Sequence, residues 1–158
     1  MLDVSISRLP REEAARIMPV MTSAFDPAFG EAWRLDQCIG SLLLPGSALY
    51  VAQVDGKDAG FALVQTLFEN SELLLLAVDP LCRGNGIGTK LVKLWQEIHA
   101  SAGGQQLFLE VRANNPALKF YQDLGFDIVG RRAGYYKTPD GNNLAALTMN
   151  KIITDFSG

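Results

Sequence analysis

The spacing of apolar residues changes several times along the chain, and each change marks an element. Val4 to Leu9 alternates weakly and predicts a first strand. Pro10, Arg11, Glu12 and Glu13 then read as a helix start, with acids near the positive end of the helix dipole. Ala14, Ile17, Met18 and Met21 recur at helical spacing, and Pro19 should kink or divide that helix. A second helix is predicted from about Glu31 to Leu44, stopped by Pro45-Gly46. Ala48 to Val54 and Ala59 to Phe68 are strands around Asp55-Gly56-Lys57-Asp58, whose Asp-Gly pair signals a hairpin. After a turn at Glu69-Asn70, the strand Glu72 to Val78 carries the unbroken apolar run expected in mid-sheet. From Gly86 to Ala102, Ile87, Leu91, Leu94, Trp95 and Ile98 form a helical stripe that ends at Gly103-Gly104. Gln106 to Arg112 is a strand, and Pro116 to Leu124 is a helix closed by Gly125. Phe126 to Arg132 and Leu144 to Ile152 are the last strands. The order β-α-α-β-β-β-α-β-α-β-β predicts an α/β fold, a mixed sheet with helices on both faces.

Composition narrows the class. A chain of 158 residues that is 48% apolar and 20% charged has one good core and too little for two, so 1–158 is expected to be a single domain. Such a chain offsets its ordering entropy, which excludes disorder. Lys and Arg number 14 against 17 Asp and Glu, for a net charge of −3. The resulting pI near 5.1 argues against binding nucleic acid through an overall field and is compatible with a cationic ligand such as an amine or a basic peptide. The longest apolar run, Leu73 to Val78, is far short of the ~20 residues a membrane helix needs. No signal peptide is visible at the N-terminus. Cys38 and Cys82 stand far apart with no partner histidines, so neither a disulfide framework nor a metal site is expected, and a reducing cytoplasm is the default.

The strongest chemical signal is Val78-Asp79-Pro80-Leu81-Cys82-Arg83-Gly84-Asn85-Gly86-Ile87-Gly88-Thr89. A central strand ends, a turn follows, and three alternate glycines open a helix. Backbone N–H groups there can turn inward together, the helix start adds about half a positive charge, and Arg83 adds a formal one. This suits a pyrophosphate. A P-loop is excluded because Thr89, five after Gly84, stands where its second glycine would, leaving Lys90 in the wrong context. A dinucleotide fingerprint is excluded because its third glycine comes one position early and no acid stands about 20 residues on. The plain alternative is a glycine-rich turn that binds nothing.

This Arg-Gly-x-Gly-Ile-Gly loop resembles the pyrophosphate loop of the GNAT superfamily of N-acetyltransferases. The segment Asn114-Asn115-Pro116-Ala117-Leu118-Lys119-Phe120-Tyr121-Gln122-Asp123-Leu124-Gly125-Phe126 is similar to another of its motifs. Leu109 to Asn114, Gly130 to Tyr136 and, more loosely, Ser23 to Phe29 resemble the RimI branch, which acetylates the N-terminal alanine of a ribosomal protein. The resemblance implies a mixed, mostly antiparallel GNAT-type sheet, splayed where acetyl-CoA enters. It also implies transfer of acetyl to a primary amine, a protein N-terminus in the first instance. Arg83, Gly84, Asn85, Gly86, Ile87, Gly88 and Thr89 would hold the pyrophosphate. Leu76, Ala77 and Val78 would pair with pantetheine and steady the thioester carbonyl. Glu110 would be the general base and Tyr121 the general acid. The asparagine that touches CoA is Asn114 if counted from the tyrosine and Asn115 if counted from the glutamate. A small amine as acceptor, or a silent acyl-CoA-binding module, are the rival readings.

The residues themselves carry part of this chemistry. Glu is disfavoured in strands, and period 2 puts Glu110 on the face of Phe108 and Arg112, opposite Leu107, Leu109 and Val111. A base acting through water and a salt bridge to Arg112, Arg131 or Arg132 both fit that position. Tyr121 lies seven residues past Asn114, about 10 Å of helix, so both would face one side. A core tyrosine beside Phe120 and Phe126 is the alternative. Tyr135-Tyr136, before Pro139-Asp140-Gly141, would overhang a peptide groove, or simply pack. His99 is expected at the helix end as a C-terminal cation or a surface residue rather than a ligand, Cys82 as a spectator, and Leu91, Leu94 and Ile98 as core.

Overall fold

Asp55 and Gly56 both adopt positive φ, 50° and 81°, the primed turn that matches the twist of a hairpin. They join β2 (Ser47–Val54) to β3 (Lys57–Leu67) in a computed structural model that describes residues 3–137 and 143–153. The other strands are β1 (Val4–Leu9), β4 (Asn70–Val78), β5 (Gln106–Arg112), β6 (Asp127–Lys137) and β7 (Asn143–Ile152). The helices are α1 (Met18–Ala24), α2 (Leu35–Leu42), α3 (Ile87–Ser101) and α4 (Ala117–Asp123). The sheet has seven strands in the order β1-β2-β3-β4-β5-β7-β6. Every pairing is antiparallel except the central β4–β5 pair. The mixed sheet with helices on both faces is what the element order predicts, and its mostly antiparallel pairing is what the resemblance implies.

One face is covered by α1, α2 and the 3-10 turn Arg11–Ile17, whose Ala14, Ile17, Val20, Met21 and Cys38 pack on Leu49, Val51, Phe61 and Leu63. The other is covered by α3 and α4, whose Ile87, Leu91, Trp95 and Tyr121 pack on Ala62, Val64, Leu107, Leu109 and Phe126. Pro19 sits in the first turn of α1, so the predicted division falls between a 3-10 turn and a short helix. The second helix is shorter than predicted and begins at Leu35 behind Arg34; Gly30, at φ +61°, turns the chain out of a brief 3-10 turn, Pro27–Phe29, ahead of it. The β3–β4 turn falls one residue early, with Phe68 itself at φ +53°.

The α3 stripe also differs. Ile98 is exposed and His99 is buried, its Nε2 2.8 Å from the Glu69 carbonyl. Four residues past Trp95, His99 continues the buried row Ile87, Leu91, Trp95, whereas Ile98 follows Leu94 on the flank.

One irregularity builds the site. Leu63 pairs with Leu75 and Val64 with Leu73, leaving Leu74 as an extra residue on β4. Such a bulge shifts the alternation of faces by one. Leu73 therefore packs with the α3 face, while Leu75 and Ala77 pack with the α1–α2 face.

Candidate active site

The parallel ladder between β4 and β5 runs from Asn70–Gln106 to Leu73–Leu109 and stops there, at the bulge. Past that point Leu75 to Val78 have β3 as their only strand partner among the described residues, and a cleft of about 1170 Å³ lies between them and the end of β5. Leu76, Ala77 and Val78 all line it. Their free edge offers backbone groups that an extended ligand could pair with.

At one end the cleft meets the glycine loop. Gly84 and Gly86 have φ of 83° and 74°, a left-handed conformation that costs an L residue about 1–2 kcal/mol. The first helical bond of α3 runs from the Lys90 N–H to the Gly86 carbonyl at 3.0 Å. The N–H groups of Ile87, Gly88 and Thr89 thus have no acceptor within the helix, and all three residues line the cleft with Arg83, Gly84 and Gly86. Gly88 is a close approach, because a Cβ there would lie 3.3 Å from Cζ of Phe120. Asn85 behaves differently. Its Nδ2 donates to the Cys82 carbonyl at 2.9 Å and bends back on the loop it belongs to. Arg83 donates from Nη2 to the Ala24 carbonyl at 3.1 Å, which ties the loop to the end of α1. Cys82 lines the cleft; Cys38 is buried, and both are free thiols.

Midway along, Tyr121 lines the cleft from α4 with its ring packed edge-on to Phe120 (5.1 Å) and Phe126 (5.9 Å). It is both a core ring and a cleft residue. Burial, and then the negative charge of Glu31, push its phenol well above the usual value. Asn115 also lines the cleft, and its Oδ1 accepts the Ala117 N–H at 2.8 Å, capping α4. Asn114 turns instead to the Arg112 guanidinium. Because α4 starts only at Ala117, Asn114 lies outside the helix, and the predicted alignment of Asn114 with Tyr121 along one helix side does not form.

At the far end Glu110 Oε2 accepts from Arg132 Nη2 at 2.8 Å, and the Arg132 guanidinium lies 3.9 Å over the Tyr135 ring. Of the three arginines open to Glu110 from sequence, Arg132 is its partner, and Arg112 serves elsewhere. Arg112 is buried, with its Nε 3.1 Å from Glu31 Oε1 and its guanidinium 3.7 Å over the Phe29 ring. Glu72, on β4 just before the bulge, also lines the cleft; partial burial and the Glu110 charge raise its carboxyl above the usual range. Sequence reasoning missed Glu31 and Glu72, since no local period marks them, and reached Phe29 only as the end of the Ser23 to Phe29 resemblance. Pro139-Asp140-Gly141 lie outside the described residues, as does the side chain of Tyr136.

The arrangement fits a phosphorylated, extended acyl carrier, since one cleft brings together helix N–H donors and a cation, an unpaired strand edge, carboxylates and a phenol. Residues 45–128 match the sequence profile of the acetyltransferase (GNAT) domain. The chain belongs to the GNAT family. Among curated GNAT relatives, the [ribosomal protein bS18]-alanine N-acetyltransferase of Escherichia coli K12 is 36% identical over 94 residues, 59% of this chain. The corresponding enzyme of Haemophilus ducreyi is 38% identical over 90 residues, 56% of this chain. The matches span 64% and 62% of those two relatives. The crystal structure of the Escherichia coli ribosomal-protein-S18-alanine N-acetyltransferase superposes with a TM-score of 0.88 and 28% identity, covering 97% of this chain and 96% of that one. Ard1 of Thermoplasma volcanium shares the GNAT fold, with a TM-score of 0.81 at 21% identity.

Proposed function

We propose that this protein is an acetyl-CoA-dependent N-acetyltransferase whose acceptor is a protein N-terminal α-amine. The observation that carries the reading is the end of the β4–β5 ladder at Leu73–Leu109, which opens a strand edge onto the same cleft that the first residues of α3 line. Acetyl-CoA would supply an activated acyl thioester. Arg83, Gly84 and Gly86 with the N–H groups of Ile87, Gly88 and Thr89 would hold its pyrophosphate; Asn85 would brace that loop. Leu76, Ala77 and Val78 would align the pantetheine arm, and Asn115, which lines the cleft where Asn114 does not, would touch it.

Glu110 is the proposed base and Tyr121 the proposed acid. An α-amine, with a pKa near 7.7–8.0, is about a tenth neutral at pH 7, so the base has only a modest task. Tyr121 stays protonated throughout the neutral range because burial disfavours its anion, and its hydroxyl can give the leaving thiolate a proton. The protein-amine acceptor is supported by relatives named as alanine N-acetyltransferases of a ribosomal protein. Among the described residues no helix is long and apolar enough to cross a membrane. Two free thiols suit a reducing compartment, and the cytoplasm is the proposed location.

The test is a panel of N-terminal peptides and small amines, read by CoA release. Turnover with N-terminal peptides above free amines is expected. Turnover only with small amines would replace the acceptor class. No turnover with any amine, alongside intact acetyl-CoA binding, would leave a silent binding module.

A further inference from the structure

Glu31 is a carboxylate with an unusual deficit. It stands between Gly30 and Ala32, in the stretch between the 3-10 turn Pro27–Phe29 and α2, and its side chain is only 17% exposed. A carboxylate offers about four lone-pair sites. Among the described residues Glu31 accepts no hydrogen bond at all. Its neighbour Arg112 lies 3.1 Å away, yet the Arg112 Nε is itself without an aligned hydrogen-bond partner.

Arg112 explains why the charge is tolerated there. Its guanidinium is clamped on three sides, by the Phe29 ring at 3.7 Å, by the Asn114 side-chain oxygen and by Glu31. It neutralises Glu31 through space, which lowers the cost of a half-buried charge, while leaving the lone pairs unused. Both residues line the cleft, as does Tyr121, whose phenol lies close enough to feel the Glu31 charge. Glu110, by contrast, already has a well-formed bond from Arg132.

We propose that Glu31, held in place by Arg112, receives the ammonium group of the acceptor in the cleft beside Tyr121. This rests on the N-acetyltransferase reading above and adds to it the group that recognises the amine before proton removal. An ammonium carries three donors, which is what the free lone pairs of Glu31 lack. Arg112 acts through Glu31 and is a positioning residue.

The experiment compares two peptides of one sequence on the full chain, one with its N-terminal amine and one with hydrogen in its place. The first is assayed as acceptor and the second as a competitive inhibitor. The wild type should favour the amine form by about tenfold or more, in the range of a charge-assisted hydrogen bond. Glu31→Gln should raise the acceptor KM about tenfold, erase the preference between the two peptides, and leave the acetyl-CoA KM within twofold. Glu31→Asp, which keeps the charge but withdraws it by one methylene, should keep part of the preference, and it serves if the Gln variant does not fold. A Gln or Asp variant that discriminates between the peptides as the wild type does would overturn the proposal. So would a variant that weakens both peptides equally, since that is the mark of a purely structural role. Failure of the wild type to acetylate any amine would strike the underlying activity instead, and acetyl-CoA binding measured alongside tells these outcomes apart.

Discussion

Arg132 on β6 holds the carboxylate of Glu110 on β5 at 2.8 Å, across the intervening strand β7. The pair is partly open to water, with 60% and 27% of the two side chains exposed, so its contribution to stability is small. Removing the carboxylate should therefore leave the fold intact and reveal its chemical role. Glu110→Gln is expected to lower kcat/KM by about 10²-fold near pH 7. The loss should shrink as pH rises and more acceptor is already neutral. A steady-state pH profile of both proteins checks this, and equal rates near pH 7 would leave Glu110 only its ion pair.

Tyr121→Phe keeps the ring contacts with Phe120 and Phe126 and removes only the proton. Expected is a 10- to 10³-fold fall in kcat with little change in acetyl-CoA affinity. Equal losses of binding and melting temperature would make Tyr121 a packing residue alone.

The raised phenol of Tyr121 also bears on stability at high pH. Above the ordinary tyrosine value of about 10 the unfolded chain loses this proton while the folded chain keeps it, so the unfolded state binds fewer protons. Its contribution is whole below pH 10 and falls as pH rises beyond it, by up to about 1.4 kcal/mol per unit. Tyr121→Phe should flatten that part of the stability curve, as measured by urea unfolding between pH 9 and 11. A slope identical to the wild type would contradict the assignment.

Gly86→Val places a β-branched residue at φ 74° at the start of α3. The loop must change shape, and the rise in melting temperature produced by acetyl-CoA should vanish while the protein remains folded. An undiminished rise would show that the loop does not carry the pyrophosphate.

Gly104→Ala tests the other end of α3. A Cβ there would fall 2.2 Å from Nε2 of His99, which is buried and lies 2.8 Å from the Glu69 carbonyl. The ring has to move and its hydrogen bond is lost, so about 1–3 kcal/mol of stability should go, with acetyl-CoA binding preserved. Chemical denaturation measures the cost; a change below 0.5 kcal/mol would show that the ring relocates freely.

What could be read from the residues alone was what a few neighbours settle among themselves. Asp55-Gly56 specified its turn because both positions tolerate positive φ, and the Arg83 to Thr89 loop declared itself because glycines and a helix start act locally. The face of Glu110 followed from period 2, a property of any strand. Tertiary structure decided what depends on partners far along the chain. The extra residue at Leu74 is visible only in the register with β3, and it ends the β4–β5 ladder and opens the cleft. Arg112 could have met Glu110, and instead it reaches Glu31 on the α1–α2 connection while Glu110 meets Arg132. His99 is buried rather than exposed because the turn at Glu69 presents a carbonyl to it. Charges and polar rings have several possible partners at similar energy, and only the assembled sheet, by placing distant segments side by side, selects one of them.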